Sequence, residues 1–204
     1  MPLFRHGLFQ FRRPALLFRQ VGWLLLALGA GCSPSLNWRE VRLPASQGLV
    51  MTFPCKPEPQ QRLVQLPGLS GPPVQLHILA CEADGATWAI SHFDTRSPER
   101  WVRALALWQS SVLANLAALP GQAVAQKQGL AAFEVPGSTP HPDAVTWWAT
   151  GQRPVSLKAS EPVAVKVWHF AKGMQVFQAS VWAPALLADD PRLTTFAKGI
   201  HFQP

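Results

Sequence analysis

Three cysteines carry the most context-dependent chemistry in this 204-residue chain. Cys32 ends an apolar run, whereas Cys55 and Cys81 each close a strand-like run, "GLVMTFPC" and "VQLHILAC". If Cys32 is used elsewhere, Cys55 and Cys81 remain as an even pair. In an oxidising compartment such a pair forms a disulfide, and in a reducing one it stays as two buried thiols. No Cys-x-x-Cys spacing is present, so redox chemistry is not indicated. The histidines outside the N-terminal segment are His77, His92, His141, His169 and His201, and none stands at a ligand spacing such as His-x-x-x-His. His77 and His92 approach each other across an expected hairpin, but two imidazoles without a carboxylate make a poor metal site. No metal or other cofactor is expected. Hydrolytic signatures are also missing: there is no Gly-x-Ser-x-Gly, and Asp189-Asp190 before Pro191 reads as a helix cap. The nine tryptophans, set against no tyrosine, include one adjacent pair, Trp147-Trp148. Neighbours on a strand point to opposite faces, so this pair is the candidate for contact with a glycan or an envelope protein.

The compartment is read from the N-terminus. Arg5, Arg12, Arg13 and Arg19 precede the apolar run Val21 to Gly31 without a single acid. That run has eleven residues, against about 20 for a membrane span. Extending it backward buries Arg19, at roughly 2.5 to 3.5 kcal/mol. Residues 1–31 therefore read as a signal peptide. "FRRPALLF" is similar to a twin-arginine export signal but lacks its usual polar residue before the pair. The sequence Gly29-Ala30-Gly31-Cys32 resembles the lipobox of bacterial lipoproteins, although Gly29 stands where that motif usually has Leu. The resemblance implies thiol acylation of Cys32 with diacylglycerol, palmitate included, and a mature chain starting there. An ordinary signal, cleaved or not, is the alternative. Ser33 in place of the Asp that retains some lipoproteins in the inner membrane points to the outer membrane.

Charge separates along the same boundary. Four of the 18 Lys and Arg residues lie before Cys32 and all 11 acids lie after it, leaving the mature part at a net charge of +3. Its bases are scattered among acids, which excludes a nucleic-acid stripe. The 173 residues from Cys32 onward suit one core. Residues 32–47 read as a tether and 48–204 as a single domain.

Hydrophobic periodicity predicts the elements of that domain. "GLVMTF" and "QRLVQLP" read as strands, and "VQLHILACEADGATWAISHF" as a hairpin turning at Asp84-Gly85. Ser97, Pro98 and Glu99 open a helix that Pro120-Gly121 would stop. Its apolar stripe is Trp101, Leu105, Trp108, Val112, Leu116 and Leu119. Two short strands are expected in "QAVAQKQGLAAFEVPG", another in "VTWWAT", a second hairpin in "PVAVKVWHFAKGMQVFQASVWAP" and a short capped helix after Asp190. The class is α+β: a mainly antiparallel sheet with one long and one short helix packed on it.

"MTFPCKPEPQ", the late hairpin "VWHFAKGMQVFQASVWA" and the closing "TTFAKGIHF" together resemble small bacterial envelope proteins of the PsbP-like α/β/α sandwich class. In that pattern a strand runs into Phe-Pro-Gly, where this chain has Cys55. The resemblance implies helices on both faces of the sheet and an envelope location, and it carries no catalytic residues. The functional expectation is a lipid-anchored, periplasm-facing module that binds or assembles without chemistry of its own. An envelope hydrolase with a dispersed active site is the alternative.

Overall fold

The computed structural model describes residues 35–116, 125–155 and 159–203. The expected signal peptide, Cys32 with its expected acylation, and the expected helix stop at Pro120-Gly121 lie outside the described residues. Among the described residues, two antiparallel sheets and two helices account for the regular structure. Strands β1 (Arg39–Arg42) and β2 (Leu49–Phe53) join β10 (His201–Phe202) in a small sheet of order β1-β2-β10. The large sheet has seven strands in the order β3-β4-β5-β9-β8-β7-β6. Its first half comprises β3 (Glu58–Val64), β4 (Val74–Ala83) and β5 (Ala86–Asp94). Its second comprises β6 (Gln128–Ala132), β7 (Val145–Pro154), β8 (Ser160–Lys172) and β9 (Gln175–Ala183). The helices are α1 (Pro98–Asn115) and α2 (Pro191–Lys198).

Local chemistry explains the best-marked of these. Asp84 and Gly85 take φ of 51° and 71°, the left-handed pair that a two-residue hairpin turn needs, and this sets the register Glu82 to Thr87. Ser97 caps α1, its hydroxyl accepting the Arg100 N–H at 3.3 Å, with Pro98 following it in the first turn. Asp190 caps α2 by accepting the Arg192 N–H at 2.9 Å. The turn at Gly173 joins β8 to β9 as the expected second hairpin.

Both faces of the large sheet are covered. On one, Leu105, Trp108 and Val112 of α1 pack with Phe93, Trp147, Val165 and Val167. On the other, Phe196 of α2 and Met51, Phe53 and Phe202 of the small sheet pack with Trp88, Trp168, Phe170 and Phe177. Strand β4 feeds both, since Val74 and Leu76 join the α1 side while Leu79 and Cys81 join the other. The described residues are thus α+β, a mostly antiparallel sheet with two helices. Cys55, after β2, is disulfide-bonded to Cys81 of β4, with Cα atoms 6.0 Å apart, so the bridge pins the β2–β3 connection to the large sheet.

One expectation needs correction. Strand β1 lies inside the segment read as a tether, paired from Arg39–Phe53 to Arg42–Val50, because β2 supplies a backbone ladder to a stretch that has only Val41 as an apolar residue. Of "QAVAQKQGLAAFEVPG", residues 122–124 lie outside the described residues, and the rest holds strand β6, an exposed edge interrupted by a bulge.

The end of α1 is seated by Gly151. A Cβ there would lie 2.5 Å from the Leu116 carbonyl oxygen, which accepts the Gln152 N–H at 2.9 Å. Gly151→Ala is therefore expected to cost about 1 to 3 kcal/mol of stability, read as a lower urea midpoint. Unchanged stability would show that α1 does not seat on β7 as described.

Candidate functional site

A hollow lined by Trp182 lies on the α1 face of the large sheet, away from the described span of the helix. The helix starts beside the β3–β4 connection, where Arg100 donates to the Pro72 carbonyl at 2.9 Å, and ends over Gly151 of β7. Among the described residues, no element covers the corner at the β4–β5 turn and the start of β8. Register brings six side chains there from five strands. Glu82 pairs with Thr87, Thr87 with Trp182, and Arg153 with Glu161, while Val163 lies two residues beyond Glu161 on the same face. The resulting cleft is about 360 Å³. A second hollow of about 470 Å³ shares Glu82 and Thr87 with it and reaches the Cys55–Cys81 bridge, Glu58 and Gln60.

Trp182 is half-buried at this cleft, and its indole N–H donates to Ser180 Oγ at 3.2 Å, two residues earlier on the same face. That bond holds the ring along the strand. Most of the charged groups other than Glu82 are internally paired. Arg153 forms an ion pair with Glu161 across the β7–β8 hairpin. Asp84 pairs with Arg192, whose guanidinium also grips Asp190 at 2.5 Å. The Arg192–Asp190 hydrogen bonds hold the Asp190 carboxyl below its usual range and raise Arg192.

The sequence-derived candidates are distributed otherwise. Trp147 is fully buried, stacked against His169 at 6.1 Å with the Lys127 ammonium 5.5 Å from its ring, and so is not offered to a partner. Trp148, on the opposite face, is half-buried beside Lys166, Leu186 and Leu187 around a hollow of about 160 Å³. Burial lowers the Lys166 pKa. The two tryptophans thus share no surface, as strand alternation requires.

The histidines are also accounted for. His77 and His92 are cross-strand partners, stacked 5.0 Å apart, beside a crevice of about 60 Å³ whose lining has neither carboxylate nor hydroxyl. His169 is fully buried with Nε2 3.0 Å from Gln178 Oε1. His141 accepts the Asp143 N–H on Nδ1, which leaves Nε2 to donate to the Trp101 carbonyl at 3.1 Å. Among the described residues, no three His, Cys, Asp or Glu side chains converge as a metal site, and no helix is long and apolar enough to cross a membrane.

The cleft residues Glu82, Thr87, Arg153, Glu161 and Trp182 were not singled out by motif. They lie up to a hundred positions apart, and only strand register assembles them. The one sequence signal that bears on them is Asp84-Gly85, which fixes the Glu82–Thr87 pair. No family model matches the chain, and no curated protein matches it.

Proposed function

We propose that this chain is an exported protein anchored by lipid on Cys32, facing the periplasm from the outer membrane, whose domain is a non-catalytic binding module with its ligand site in the Trp182 cleft. The observation that carries the export half is the Cys55–Cys81 disulfide, because such bonds persist in oxidising compartments and are reduced in the cytosol. The basic N-terminus, the short apolar run and the residues around Cys32 support the same compartment. Helices on opposite faces of an antiparallel sheet support kinship with the PsbP-like sandwich class.

Binding is favoured over catalysis by what the cleft side chains already do. Arg153 with Glu161, and Asp84 with Arg192, are already engaged in ion pairs with each other, which suits recognition better than proton transfer to a substrate. No histidine lines the cleft. Fractionation of cells tests the anchor. Wild-type protein is expected in the outer-membrane fraction, whereas Cys32→Ala is expected to accumulate as a precursor enlarged by the signal peptide. Equal size and equal fractionation of the two would reject acylation.

A further inference from the structure

We propose that the Trp182 cleft is a subsite for a neutral oligosaccharide. This rests on the reading of the cleft as the ligand site, and deepens it by naming the ligand class. The indole N–H of Trp182 is already bonded to Ser180, so the ring offers a ligand only apolar surface, which suits the C–H face of a pyranose. Around the ring stand groups that hydrogen-bond hydroxyls: the Arg153 guanidinium as donor, the Glu82, Asp84 and Glu161 carboxylates as acceptors, and Thr87 as either.

Charge decides against an anionic ligand. Glu161 is paired with Arg153, but Arg192 is shared between Asp84 and Asp190, and Glu82 has no ion-pair partner among the described residues, so the wall is net negative; a cationic ligand is separated by the tetralysine arm of the test. The same polar lining disfavours an acyl chain, whose burial would leave those groups unpaired. At about 360 Å³ the cleft falls in the size range of small-ligand sites, and the adjoining hollow at Glu58 and Gln60 gives a longer chain somewhere to continue. An oligomer therefore fits better than a single sugar.

The test uses the full-length protein extracted in detergent and labelled with 5-fluorotryptophan. The Trp182 fluorine signal is identified as the one missing from Trp182→Phe. Titration with chitotetraose is expected to shift that signal, and Trp182→Ala is expected to weaken binding about tenfold or more while Trp148→Ala leaves it unchanged. No shift with chitotetraose, binding that survives Trp182→Ala, or a stronger response to tetralysine would each overturn the saccharide assignment. A photo-crosslinking residue at Thr87 in living cells separates this from failure of the wider reading. A protein adduct without glycan binding overturns the saccharide alone and keeps the cleft as a binding site. Silence in both arms overturns both.

Discussion

Acidification from neutral pH toward pH 4 is expected to remove several kcal/mol of folding stability, because two histidines are buried in their neutral form. Burial, helped by the charge of stacked His77, lowers the pKa of His92 from 6.5 to about 4 against a hydrogen bond to Pro44 that acts to raise it. Burial lowers His169 to about 3, with Lys127 adding to the effect and the Gln178 hydrogen bond opposing it. Both folded-state values lie below the unfolded one, so below pH 6.5 the unfolded chain binds more protons than the folded chain. The stabilisation is complete above pH 6.5 and is lost as pH falls, through about 4 for His92 and about 3 for His169. At 1.36 kcal/mol per unit, each contributes about 3 kcal/mol or somewhat more, a large part of a typical domain's 5 to 15 kcal/mol. Urea midpoints measured across this range should fall steeply. His92→Phe, which replaces one ring by another beside Phe177, should flatten the upper part of the curve. Constant midpoints from pH 6.5 to 4.5 would contradict buried neutral imidazoles at these positions.

Loss of the disulfide is the second large effect. The bridge closes a separation of 26 residues, and the chain-entropy relation gives about 3.5 kcal/mol for a loop of that length. Cys55→Ala with Cys81→Ala should lower unfolding free energy by about that amount, with the reduced wild type behaving alike. Because Cys81 also packs against the core behind β4, the double substitution adds a small packing loss that reduction does not. Thiol alkylation of denatured, unreduced protein should leave both cysteines unlabelled. Full labelling would show that the bridge does not form in the cell.

Local signals made much of the fold legible. Asp84-Gly85 marked the first hairpin, Ser97 and Pro98 marked the start of α1, and Asp190 marked α2, because each performs a backbone task that few other residues can. The apolar stripe through Leu105, Trp108 and Val112 pointed α1 at the sheet. What escaped was non-local. Strand β1 carries little apolar patterning of its own and exists through pairing with β2. The Trp147-Trp148 doublet was conspicuous in sequence, yet Trp147 fills the core under α1 and only Trp148 reaches a surface. Trp182 gave no such signal, because its interest comes from which strands lie beside β9. Motifs report local chemistry, and this site is a product of register.

The central claim is that export and acylation at Cys32 place a disulfide-stapled binding domain in the cell envelope. Mass measurement of the N-terminal peptide from the membrane-extracted protein tests it most directly. The expected result is a peptide beginning at Cys32 with diacylglycerol on its sulfur. An intact Met1 terminus, or a mature terminus beyond Cys32, would contradict it.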